Sequence, residues 1–147
     1  LLGLMEIIGK LKNPIASMYA FKIVNDTIPE TKYTIIGDGE LKYDVQKKIT
    51  DLNLQGKVFM LGSLDRKNAF DILKDKTVFI QHSVTPYTGD QEGFAISIAE
   101  AQMFEIPIVS TIHNGISENV INNKTVPITA SHVIVISIPS ALSPSPT

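Results

Sequence analysis

Short apolar, β-rich runs alternate with longer stretches whose apolar residues recur every three or four positions, the order expected when a parallel sheet is covered on both faces by crossover helices. The apolar runs predict strands at Met5–Gly9, Lys32–Ile36, Val58–Leu61, Val78–Gln81 and Ile108–Ser110. Between them the pattern predicts four helices. The first opens at Asn13-Pro14, where Asn can cap free N–H groups and Pro tolerates the first helical position, and runs towards Ile28. In the second, Leu41, Val45, Ile49 and Leu52 form one apolar stripe. The third is capped by Asp65 and carries Ala69, Phe70, Ile72 and Leu73. The fourth follows Gly93 with Ile96, Ile98, Ala99, Ala101 and Met103, and Pro107 prevents its continuation.

From Val126 to Thr147 there is no Asp, Glu, Lys or Arg, and Pro127, Pro139, Pro144 and Pro146 interrupt any long helix. This division, a domain at 1–125 and a charge-free tail at 126–147, leaves room for one strand within His132–Ser137, with Ser143–Thr147 read as a disordered end. No internal repeat interrupts the α/β alternation.

Composition narrows the possibilities. A chain of 147 residues with 44% hydrophobic content suits a single domain. A net charge of −2 gives no basic surplus of the kind that drives binding to nucleic acid or anionic membranes. The absence of Cys excludes disulfides and thiolate metal sites. The apolar start, Leu1–Ile8, is broken by Gly3 and Glu6 and is far too short to span a bilayer, so it reads as a strand rather than a signal.

In an open α/β sheet, ligands bind where loops converge at the carboxyl ends of the strands. Three stretches qualify: Gly37-Asp38-Gly39, His82 to Glu92, and Ser110 to Glu118. The segment TGDQEGFAISIAEA is the most informative. Glu92 and Glu100 stand eight residues apart, which on an α-helix is a rise of about 12 Å with only about 80° of rotation. Both carboxylates can then face one ligand. The N–H groups of Gly93, Phe94 and Ala95 at the helix start would be free for a pyrophosphate, and the helix dipole favours negative charge there. A carboxylate beyond each end of a diphosphate could accept hydrogen bonds from sugar hydroxyls, one on a hexose and one on a ribose.

The text EGFAISIAEA, preceded by HSVTPYTGDQ and followed by IPIVSTIHNGISENV, resembles the donor domain of glycosyltransferase family four, whose signature is two Glu separated by seven residues. YTIIGDGEL and KVFMLGSL resemble the strand ends that precede that signature, and the likeness covers roughly Gly9 to Thr125. The resemblance implies one Rossmann-like half of a two-domain GT-B enzyme, the C-terminal, nucleotide-sugar-binding half. It assigns Glu92 to the transferred sugar and Glu100 to the ribose, and it places Gly62, with its neighbours Leu61 and Ser63, beside the base. It further implies retaining hexosyl transfer to an acceptor hydroxyl in glycan or polysaccharide biosynthesis. The expected chemistry needs no cofactor and no metal, and the chain has no Asp-x-Asp motif. The expected location is cytoplasmic, including the inner face of a membrane.

Two departures qualify the likeness. Where the family places an Arg and a Lys on the departing diphosphate, this chain reads IGKLKNP, with Lys10 and Lys12 in their stead; Lys holds phosphate as a point charge and lacks the bidentate fork of Arg. The family also continues differently after NNKT, so the natural C-terminus is expected to be lost or replaced, by a reading-frame change among other routes. The acceptor-binding N-terminal domain is expected to be missing, and the chain alone is expected to bind donor weakly and to turn over none.

Plainer readings stand beside these. Glu92 could simply complement the helix dipole, Glu100 could be a solvated face residue, and Lys10 and Lys12 could be ordinary surface charges. Gly37 and Gly39 read as turn glycines that need positive φ, with Asp38 serving the same turn. His82 and His113 read as hydrogen-bonded structural residues, and Glu118 as a helix cap or a pocket residue. At the level of the whole chain, the alternatives are a non-catalytic nucleotide-binding or interaction module of the same fold, and an unrelated α/β enzyme. The latter calls for a G-x-G-x-x-G after the first strand, which IGKLKNP does not supply.

Overall fold

The structure, a computed structural model, describes residues 3–7, 14–81, 96–110 and 133–135. They form six parallel strands in the order β3-β2-β1-β4-β5-β6, comprising β1 (Gly3–Ile7), β2 (Lys32–Ile36), β3 (Val58–Met60), β4 (Val78–Gln81), β5 (Ile108–Ser110) and β6 (Val133–Val135). The chain starts at the centre of the sheet, winds outward to β3, crosses back to β4 and winds outward the other way. This is the doubly wound arrangement with its strand order reversing between β1 and β4.

Among the described residues four helices make the crossovers from β1 to β5: α1 (Pro14–Thr27), α2 (Lys42–Asp51), α3 (Arg66–Leu73) and α4 (Ile96–Met103). They divide between two core clusters, because successive strand residues point to opposite faces. Tyr33 and Ile35 of β2 pack with Met18 and Phe21 of α1 and Val45 of α2. Ile36 and Phe79 pack instead with Leu73 of α3, Ile98 and Ala101 of α4, and Ile108. A sheet buried on both faces explains why β2 reads as a nearly continuous apolar run.

Helix α1 buries Pro14, Ser17, Met18 and Phe21, a spacing that keeps one stripe on the sheet, and the Phe21 ring lies 5.2 Å from that of Tyr33. It ends at Thr27, just ahead of Pro29. In α2 the expected stripe is narrower than the periodicity suggests: Val45 is fully buried and Ile49 and Leu52 partly so. Leu41 precedes the helix and is exposed, since it belongs to the turn leaving the β2 loop. At α3, Asp65 is the N-cap: its carboxylate accepts from the Asn68 backbone N–H at 2.8 Å and from the Asn68 side chain at 2.7 Å. Replacing Asp65 with alanine is expected to cost about 1 kcal/mol, the usual value of such a cap. A thermal melt would read this as a drop of a few degrees, and an unchanged midpoint would refute it.

One strand boundary differs from the sequence reading, and two further features add to it. The first strand is Gly3–Ile7, two residues earlier than expected. Helix α4 stops at Met103, before Pro107 can act, because Glu105 adopts a left-handed conformation (φ 56°) and the Phe104 and Ile106 N–H groups both bond back to the Ala101 carbonyl. Met103, expected on the packed stripe, is exposed at this end. Strand β6 lies inside the charge-free segment and pairs with β5 in parallel, Val109 opposite Ile134. The remainder of that segment lies outside the described residues.

Candidate functional site

The carboxyl ends of β2 and β3 are tied together: the Gly37 N–H donates to the Gly62 carbonyl at 2.8 Å. Gly37 and Gly62 have φ of 123° and 69°, left-handed backbone that L side chains rarely adopt, so glycine lets both strands turn sharply away at the same level. Gly39 is different from the turn glycine expected of it, since it is not among the positive-φ glycines. The backbone closes that turn, the Lys42 N–H donating to the Gly39 carbonyl at 3.1 Å, while the Asp38 carboxylate accepts from the Gly39 N–H at 3.0 Å and from the Lys42 ammonium at 3.1 Å. The hydrogen bond from Lys42, with that from Gly39, holds the Asp38 carboxyl below its ordinary pKa.

Above this edge lies a cavity of about 300 Å³. Its apolar floor comes from Ile36, Leu64, Ala69 and Leu73, and its polar groups are Ser63 after β3, Arg66 at the start of α3, and Ser97 and Glu100 on α4. Glu100 therefore faces the cavity. Its side chain is 16% exposed, which separates it from a solvated helix face, and Oε1 forms an ion pair with the Arg66 guanidinium at 3.0 Å. Arg66 itself is 71% exposed, with its guanidinium carbon 5.1 Å from the Phe70 ring centre. Phe70 meets Phe104 edge to face at 5.3 Å. At the opposite wall the Ser97 hydroxyl donates to the side-chain oxygen of buried Gln81 at 2.6 Å, anchoring α4 to the end of β4.

Of the residues singled out from sequence, Glu100, Gly37 and Ser63 line this cavity, and Gly62 stands at the strand exit immediately before Ser63. Glu92, Gly93, Phe94, Ala95, Lys10 and Lys12 lie outside the described residues, as do His82, His113 and Glu118. Arg66, Phe70 and Ser97 are cavity residues that the sequence reading passed over. A signal for Arg66 was present, since it is the only arginine among the thirteen basic residues, next to a helix-capping Asp. Among the described residues no group of three or more His, Asp or Glu is placed to hold a metal ion. No helix among them is long and apolar enough to cross a membrane.

A doubly wound sheet places its ligand sites at the carboxyl ends of the strands, and the acid-bearing cavity lies there. The family follows from comparison with known proteins. The model of the glycosyl transferases group 1 family matches residues 5–136, and the chain belongs to that family. The match runs past Thr125 into the charge-free segment as far as β6. An uncharacterised glycosyltransferase of Methanocaldococcus jannaschii is 38% identical over 92 residues, covering 63% of this chain and 21% of that protein. The UDP-Gal:alpha-D-GlcNAc-diphosphoundecaprenol alpha-1,3-galactosyltransferase of Escherichia coli is 34% identical over 114 residues, 74% of this chain and 27% of that protein. Among solved structures, S. aureus TarM in complex with fondaparinux, alpha-GlcNAc-glycerol and UDP superposes with a TM-score of 0.73 at 24% identity, over 90% of this chain and 25% of that one. The fold is thus one Rossmann-like half of a GT-B glycosyltransferase, as the sequence implied. The chain spans about a quarter of these proteins' lengths.

Proposed function

We propose that this chain is the C-terminal, donor-binding half of a retaining glycosyltransferase of family four, which holds a nucleoside diphosphate hexose for transfer to an acceptor hydroxyl in glycan or polysaccharide biosynthesis. The observation that carries the reading is Glu100, a largely buried carboxylate turned into a cavity at the carboxyl edge of β2 and β3. A cavity of about 300 Å³ lies at the lower end of the range for small-ligand sites and suits a nucleoside better than a whole nucleotide sugar. The base would rest on the apolar floor, and the ribose hydroxyls would donate to Glu100. The diphosphate would then be met by the backbone N–H groups of Gly93, Phe94 and Ala95 and by the charges of Lys10 and Lys12, all of them outside the described residues. Glu92 would meet the hexose.

Chemically, this arrangement addresses the leaving group. Breaking the anomeric bond leaves negative charge on the diphosphate, and fixed cations and helix N–H groups stabilise that charge without a metal. Retention is supported by the Escherichia coli relative, whose name joins a UDP-Gal donor to an alpha-linked product. The acceptor would be held by an N-terminal domain, so the isolated chain would bind donor and turn over none. Calorimetric titration of the chain with uridine, guanosine and adenosine diphosphates, and then with their hexose conjugates, is expected to show one base preferred, with dissociation constants from micromolar to millimolar. A chain indifferent to all of them is not a donor domain, and sugar transfer by the chain alone would remove the need for a partner domain.

A further inference from the structure

Helices α3 and α4 each present a charged residue and an aromatic one at the same four-residue interval, and the two pairs meet. Arg66 reaches Glu100 at 3.0 Å, while Phe70 meets Phe104, one residue past α4, at 5.3 Å. The Arg66 guanidinium also lies against the Phe70 ring, so Phe104, Phe70, Arg66 and Glu100 form a chain of contacts that ends at a carboxylate in the cavity. We propose that Arg66 is a positioning residue for the donor's ribose, fixing Glu100 so that its second oxygen is presented to the sugar hydroxyls; this rests on the donor-site reading above.

The contrast in exposure supports a positioning role over a stabilising one. With Arg66 71% exposed, the pair adds little to folding stability, as surface ion pairs do. Glu100, at 16% exposure, is shielded from most of the water that would otherwise compete for its oxygens. A free Glu side chain samples several rotamers, and a ligand that needs one of them must bear the entropy of selecting it. The ion pair with Arg66 selects it beforehand. It occupies Oε1 and leaves Oε2 and the remaining lone pairs able to accept. The guanidinium is itself oriented, because a planar cation on an aromatic face has fewer orientations than one in water.

The test compares uridine, guanosine and adenosine diphosphates, each against its 2′,3′-dideoxy counterpart, in calorimetric titrations of the wild-type chain and of Arg66→Ala, Arg66→Lys, Glu100→Ala and the Arg66→Ala/Glu100→Ala double variant. The quantity read is the ratio of ribo to dideoxy affinity. Arg66→Ala is expected to lower that ratio about three- to fivefold, the scale of an exposed ion pair. Arg66→Lys should restore part of it, and the double variant should match Glu100→Ala alone, because Arg66 acts only through Glu100. Thermal melts should be nearly superimposable for the Arg66 variants. A ratio unchanged or raised in Arg66→Ala overturns the proposal, a rise meaning that Arg66 competes with the ribose, and so do effects that multiply in the double variant. If Glu100→Ala abolishes the ratio while Arg66→Ala leaves it intact, this proposal falls and the donor-site reading stands. If none of the three nucleotides binds the wild-type chain, both fall.

Discussion

Phe79→Ala is expected to destabilise the domain by about 3–5 kcal/mol, the range for deleting a fully buried aromatic side chain. Phe79 is 0% exposed and sits on β4, opposite Met5 of β1 on one side and Ile108 of β5 on the other. Its ring faces the cluster built from Ile36, Leu73, Ile98, Ala101, Ile106 and Ile108, so the cavity left behind would be enclosed by strands and helices that cannot easily collapse into it. Since small domains are stable by only about 5–15 kcal/mol, such a loss consumes a large share of the total. The measurement is a urea titration followed by circular dichroism. Phe59→Ala is the comparison, because Phe59 lies on edge strand β3 and is 39% exposed, with the Lys32 ammonium 5.7 Å from its ring centre. It should cost about 1 kcal/mol or less. Equal losses in the two variants would mean that the α3 and α4 face is not the core described above. Because Ile36 and Leu73 belong both to that cluster and to the cavity floor, Phe79→Ala should also weaken nucleotide binding.

The part of this architecture that the sequence made legible is the part set by burial along one element. Strands such as β2 and β4 are covered on both faces, so their apolar runs stand out from the helical periodicity around them. Asp65 announced its helix because capping is a local event over three residues. Periodicity failed where an end, not a face, decides exposure. Leu41 and Met103 have the correct spacing for their stripes, yet both lie at helix ends beyond the reach of the sheet. Gly39 failed for another reason, since it is the first residue of the turn that the Lys42 N–H closes onto its carbonyl, a position that makes no demand for positive φ.

The site divides the same way. Glu100 was marked by resemblance and by its interval from Glu92, whereas Arg66 was marked only by being the single arginine beside a capping Asp. The partnership of Arg66 with Glu100 spans thirty-four positions and arises only because α3 and α4 lie side by side over one sheet face. A pattern confined to one helix carries no information about which neighbour it will meet. Aromatic residues at the helix interval compound the difficulty, since Phe70 in the third helical pattern reads as core, while the structure makes it the cavity wall that steadies the guanidinium.

Glu100→Ala should reduce affinity for a ribonucleoside diphosphate by about ten- to a hundredfold, the value of a lost hydrogen bond to a charged group. Affinity for the 2′,3′-dideoxy counterpart should be nearly unchanged. That asymmetry is what makes the result informative, because a general disruption of the cavity would weaken both ligands alike. The carboxylate is 16% exposed and forms part of the cavity wall, so a hydroxyl that donates to it exchanges a shielded acceptor for water when it leaves. Glu100→Gln sharpens the argument. It keeps the length of the side chain and one acceptor oxygen, but it removes the charge and offers an amide where Arg66 previously found a carboxylate oxygen. If charge and the held orientation both matter, Gln should recover only a small part of the loss. Full recovery by Gln would reduce Glu100 to a neutral acceptor, and equal losses for ribo and dideoxy ligands in Glu100→Ala would take the ribose away from this carboxylate and leave the cavity at the carboxyl edge without its assigned occupant.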